Sequence, residues 1–102
     1  MKKIIIMFLL SVSIFAAEIK KTKSDYIFTR TKEQLEKVML FVRDNDVEAL
    51  DKYMQLLQAS NQGGYLKENA EVYVEDYDWG LIKFRAKGTT VSWWTVSEAV
   101  KK

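Results

Sequence analysis

The 102 residues include no cysteine and no histidine, which excludes disulfides, thiol nucleophiles, most soft-metal ligation and any side chain that ordinarily titrates near neutrality. Sixteen basic residues against 14 acidic ones give a formal charge of +2, but Lys2 and Lys3 belong to a segment read below as removed, and the remainder balances at zero. With no concentrated basic footprint, nucleic acid is not an expected partner.

Residues 1–16 read as a signal peptide: Lys2 and Lys3 form the charged end, Ile4 to Phe15 the apolar stretch, and Ala16-Ala17 the small residues for cleavage. The apolar run is shorter than the roughly 20 residues that a span of about 30 Å requires. Cleavage after Ala16 leaves Ile14 at the third position upstream, whereas cleavage after Ala17 would leave the bulkier Phe15 there. An uncleaved anchor is the alternative; no cysteine stands at the site to carry a lipid. The product is one small domain with a modest core, without repeats or low-complexity tracts.

Residues 17–30 read as an extended leader, flexible around Lys20, Lys21 and Lys23, with Ser24 to Thr29 as a short strand or arm. From Thr31 the period changes. Thr31 with Gln34 fits a capping box, and Leu35, Val38, Met39 and Val42 follow at helical spacing, widened by Phe41. Arg43-Asp44-Asn45-Asp46 interrupts the stripe. Asn45 with Glu48 is a second cap signal, and Val47, Leu50, Met54 and Leu57 make a second stripe. Residues 31–62 are therefore expected to form a helical hairpin, with one bent helix as the alternative, closed by a left-handed glycine cap at Gly63 or Gly64. Met39 and Met54 are expected in the core.

Residues 63–102 read as an antiparallel meander. Val72 and Val74 alternate with Glu71, Tyr73 and Glu75, while Ile82, Phe84 and Ala86 alternate with Lys83, Arg85 and Lys87. Apolar must oppose apolar, which sets Val74 against Phe84, Val72 against Ala86 and Asp76 against Ile82. The other face then pairs Tyr73 with Arg85, Glu75 with Lys83 and Glu71 with Lys87. Gly88 stands where a type II′ turn needs it, so Trp93 meets Phe84 and Thr95 meets Ile82, with Trp94 outside by Lys83. Trp79 finds no place in this register.

The run Leu66 to Val72, then Trp79 to Arg85, a glycine turn, Trp93 to Val96 and a closing Ser97-Glu98-Ala99-Val100 resembles the strand sequence of bacterial SH3-like domains. Asn69 stands where glycine is usual. The resemblance implies a small β-barrel that binds peptides or wall components or holds subunits together, without catalysis. The expected architecture is thus α+β, the helical hairpin packed on the apolar face of an antiparallel SH3-like sheet of three to five strands.

The outer sheet face gathers Tyr73, Lys83, Arg85 and Trp94, aromatic rings beside cations, a composition suited to a peptide or glycan. The competing reading is a plain cross-strand pair worth about 0.2 to 1 kcal/mol. Glu75, Asp76 and Asp78 read as solvated turn acids: Gly80 follows a bulky Trp79, unlike a calcium loop, and neighbours in one loop cannot face each other across a cleft as a glycosidase pair does. No metal or cofactor is expected. The composite expectation is a non-enzymatic, periplasmic or secreted binding or assembly module of the bacterial envelope. Its partner would be an envelope protein, peptide or cell-wall component. The alternative is a small inhibitor or immunity protein that blocks an envelope hydrolase or toxin. Intact-mass measurement of the product recovered from the envelope should give a chain that starts at Ala17; a mass that retains Met1 to Phe15 would refute the cleavage.

Overall fold

The computed structural model describes residues 18–102; the signal segment and its cleavage site lie outside the described residues. Elements run β1 (Ile19–Lys21), β2 (Ile27–Thr29), α1 (Lys32–Arg43), α2 (Val47–Ala59), β3 (Gly63–Tyr65), β4 (Glu71–Asp78), β5 (Leu81–Ala86), β6 (Ser92–Val96) and a 3₁₀ turn, Ser97–Ala99. The fold is α+β. Its antiparallel sheet has six strands in the order β1-β4-β5-β6-β2-β3, more than the three to five expected. The surplus consists of three-residue strands, too short to display a period. Part of the supposed flexible leader is one of them, since Ile19, Lys20 and Lys21 pair with Tyr73, Val72 and Glu71.

Two helices form, not one bent helix. Thr31 accepts from the Gln34 amide at 3.1 Å and Gln34 Oε1 accepts from the Thr31 amide at 3.0 Å, which completes the capping box. The second cap is Asp46, which accepts from Ala49 N–H at 3.1 Å. Asn45 instead takes the left-handed turn position at φ 54°, a conformation asparagine tolerates better than most residues. At the far end Asn61, not glycine, is left-handed, at φ 56°. Gly63 and Gly64 lie in β3 for a different reason: a Cβ on Gly63 would stand 2.6 Å from the Phe28 carbonyl oxygen, and one on Gly64 would press on the Phe28 ring.

The meander keeps its register up to Val74, with Val72 opposite Ala86, Tyr73 opposite Arg85 and Val74 opposite Phe84. A bulge at Glu75 then shifts the ladder, so Asp76 meets Lys83 and Tyr77 meets Ile82; the expected pairs Glu75–Lys83 and Asp76–Ile82 do not form. The extra residue shortens the first turn to Trp79-Gly80, with φ 49° and 82°, the two positive values of a type I′ turn. For tryptophan that conformation costs about 1 to 2 kcal/mol. In the second connection Thr89 N–H bonds to the Ala86 carbonyl at 3.0 Å, so Gly88, at φ 85°, is the third residue of a type II turn and not the second of a II′ turn. The register survives: Phe84 faces Trp93, Ile82 faces Thr95 and Lys83 faces Trp94.

The sheet buries its own apolar face. Val72 and Phe84 cluster with Leu66 and Ala99, and Phe28 and Trp93 pack against them, Phe28 edge-on to Trp93 at 5.0 Å. The helices do not cover this face. Val38, Met54 and Leu57 pack with Ile27, which points away from its neighbour Phe28. Met54 is buried as expected, while Met39 is 42% exposed. Among the described residues no helix is long and apolar enough to cross a membrane.

Thr22 ties these parts together. Fully buried, its amide donates to Ala70 O at 3.0 Å and its carbonyl accepts from Asn69 N–H at 2.8 Å. Its hydroxyl donates to Lys67 O at 2.5 Å and accepts from Ala70 N–H at 3.0 Å. Asn69 sits at φ 61°, a left-handed conformation that asparagine tolerates better than most residues. Beside it, Lys101 and the Ser24 amide hold the Glu68 carboxyl below the ordinary glutamate range. A lowered carboxyl pKa stabilises the fold above the unfolded value, and the effect is lost as pH falls through the folded one. Thr22→Val keeps the shape but orphans two backbone groups, so denaturant melts should show a loss of about 2 to 4 kcal/mol; a loss below about 0.5 kcal/mol would mean that the junction is not required.

Candidate functional site

The alternation along β4, β5 and β6 places Tyr73, Arg85 and Ser92 on one row and Lys83 with Trp94 on the next, all on the face opposite Phe84. The four residues singled out from the sequence therefore share a face, but their side chains divide into two sets. The Arg85 guanidinium lies over the Tyr73 ring at 4.4 Å from its centroid, its Nε is 3.5 Å from Glu75 Oε2, and it donates to Thr89 O at 3.2 Å. Glu75 in turn accepts from the Ser92 hydroxyl at 2.5 Å. The bulge produces this set, because it turns Glu75 away from Lys83 and toward Arg85. Arg85 is thus occupied on three sides.

Lys83 and Trp94 are different. Both are half-buried, and Lys83 has no acidic partner within ion-pair distance among the described residues. They line an open groove of about 510 Å³ together with Arg30, Thr31, Lys32, Glu33, Thr90 and Ser92. Arg30 stacks on Trp93, its guanidinium carbon 5.6 Å from the ring centroid, and donates to Ser92 O at 3.4 Å. Lys32 is tied to Asp78, and that hydrogen bond pushes the ammonium pKa up. Glu33 is the lone carboxylate in the lining. Two cations without an acidic partner and one indole therefore face a shallow channel.

Sequence reasoning missed Arg30. Its position just before the Thr31 cap was visible, but what brings it beside Lys83 is the Thr29–Trp94 pairing of β2 with β6, a contact between residues 65 apart in the chain. The turn acids are each engaged: Asp78 by Lys32, Glu75 by Arg85, and Asp76 by the Tyr77 amide at 2.8 Å. A second concavity, of about 420 Å³, runs beside α1 between Tyr26, Ile27, Leu35, Met39 and Val42. Its lining is mostly apolar and also includes Asp25, Arg43 and Glu98.

Comparison with family models, curated proteins and solved structures finds no match. The division of the face has a measurable consequence. Arg85→Ala should cost about 1 to 2 kcal/mol in denaturant melts, the sum of a stacking contact and a partly screened ion pair, whereas Lys83→Ala should stay within about 0.5 kcal/mol of the parent. Equal losses would place both cations in one structural network.

Proposed function

We propose that the chain is a non-enzymatic, exported binding or assembly module of the bacterial envelope, and that its partner is held in the groove of Lys83, Trp94 and Arg30. The observation that carries this reading is the contrast between neighbouring cations of one sheet face. Arg85 is engaged by Tyr73, Glu75 and Thr89, while Lys83, opposite Trp94, has no ion-pair partner among the described residues. A Trp with flanking cations offers large contact area and a directional polar end, the composition favoured at binding hot spots.

The SH3-like reading of the sheet belongs to this proposal. What supports it is topology. In the sequence alone, the long loop and the clear fifth strand of the SH3-like pattern are missing. Here β1 is separated from β4 by the excursion that carries both helices, and after the 3₁₀ turn Val100 bridges Thr22 while Lys101 N–H bonds to the Lys21 carbonyl at 2.8 Å.

The double variant Lys83→Ser with Trp94→Ser should fold like the parent by circular dichroism. Immobilised, it should fail to retain the wall or outer-membrane component that the parent draws from envelope extract. Unchanged retention by the folded variant would rule the groove out, and retention of a single hydrolase or toxin by the parent would favour the inhibitor reading.

A further inference from the structure

We propose that the edge of the sheet carrying Trp79, Tyr77 and the lysines Lys20, Lys23, Lys101 and Lys102 docks on an anionic phospholipid surface. Trp79 is 99% exposed, so the indole contributes no packing to the domain, yet it occupies a turn position, φ 49°, that a bulky side chain adopts only at a cost. A residue retained against its backbone preference and without an internal contact calls for an external one. Tyr77, two residues before it, is 63% exposed.

The lysines reach the same edge by two pairings. Thr22 bridges Val100, and Lys101 N–H bonds to the Lys21 carbonyl at 2.8 Å, which lays the last residues of the chain beside β1. Lys20, Lys23, Lys101 and Lys102 then surround a depression of about 460 Å³ together with Tyr77, against the single carboxylate of Glu98. The turn adjoins it, because the Gly80 carbonyl accepts from the Ser97 amide at 2.8 Å and Ser97 lines the depression. Lys20 is paired with Glu18 and Lys101 with Glu68; Lys23 and Lys102 have no ion-pair partner among the described residues.

Exposed Trp and Tyr beside lysines match the headgroup region of a bilayer, where the rings sit at the boundary and the ammonium groups meet phosphate. A protein partner suits the geometry less well. Hot-spot tryptophans sit within a patch whose rim excludes water, but here the indole projects from a two-residue turn, and beyond the adjoining residues no described atom lies within 4 Å of the position a Cβ on Gly80 would take. A fluid interface needs no shaped pocket.

The test is co-sedimentation of the exported product with vesicles of phosphatidylcholine alone and of phosphatidylcholine mixed with phosphatidylglycerol. The parent should partition to the charged vesicles and be released by raised salt. Trp79→Asn, which suits the positive φ, should melt no earlier than the parent yet bind charged vesicles about tenfold less. Lys23→Ser with Lys102→Ser should also lower binding about tenfold. Absence of partition to charged vesicles, or undiminished partition of Trp79→Asn, would overturn the proposal. So would a lipid-free protein partner whose retention depends on Trp79.

Discussion

The buried hydroxyl and backbone of Thr22 hold together three stretches of chain that are far apart in sequence. One is Thr22 itself at the end of β1, another is Lys67 to Ala70 before β4, and the last is Val100 after the 3₁₀ turn. The stretch between Lys23 and Asn69, which carries β2, both helices and β3, departs from β1 and returns to β4 at this point. Closing a loop of that length has an entropic cost that grows only slowly with its size, so four hydrogen bonds at its neck, reinforced by the Lys101–Glu68 pair at 2.6 Å, are well placed to offset it. Their burial matters as much as their number, since an exposed neck would trade these bonds for water at little net gain.

With the neck closed, the short strands β2 and β3 can lie beside β6, and the sheet becomes wide enough to cover its own apolar face. That explains why the helices pack elsewhere. Phe28 enters the core between Phe84 and Trp93, Ile27 faces outward, and α1 and α2 are recruited to Ile27. The same arrangement brings Arg30 into the lining of the groove that also holds Trp94. The groove is therefore a consequence of how the excursion leaves β2, and not of the meander alone.

What was legible in the sequence follows from how local each feature is. The capping box at Thr31 and the pairing of Val74 with Phe84 rest on residues whose alternatives are costly, and both appear. Beyond Val74 the strand reads Glu-Asp-Tyr-Asp, with no apolar residue to penalise a slip, so nothing in the pattern opposed the bulge at Glu75. Asn45 and Asp46 are both cap formers, and only the left-handed turn preceding α2 separates them. The Tyr73–Arg85 contact was legible as a cross-strand pair. That the arginine would be engaged by Glu75 depended on the bulge, and that Arg30 would line the open groove depended on a strand of three residues.

The three tryptophans show how far parity reaches. Trp93 and Trp94 are neighbours on β6, so pleating sends the first against Phe28 and the second toward Lys83; their fates follow from the register. Trp79 lies outside any strand, and its exposure has another origin. The turn is held on both sides, by Asp78 to Lys32 and by the Gly80 carbonyl to Ser97 at 2.8 Å, so the indole is presented in a fixed place and not as the end of a loose loop. Asparagine or glycine would complete the same turn without strain. The tryptophan adds nothing to the described core. The groove at Trp94 and the tip at Trp79 are then two separate surfaces, one made by the excursion and one by the turn, and a substitution in either leaves the framework of the other intact.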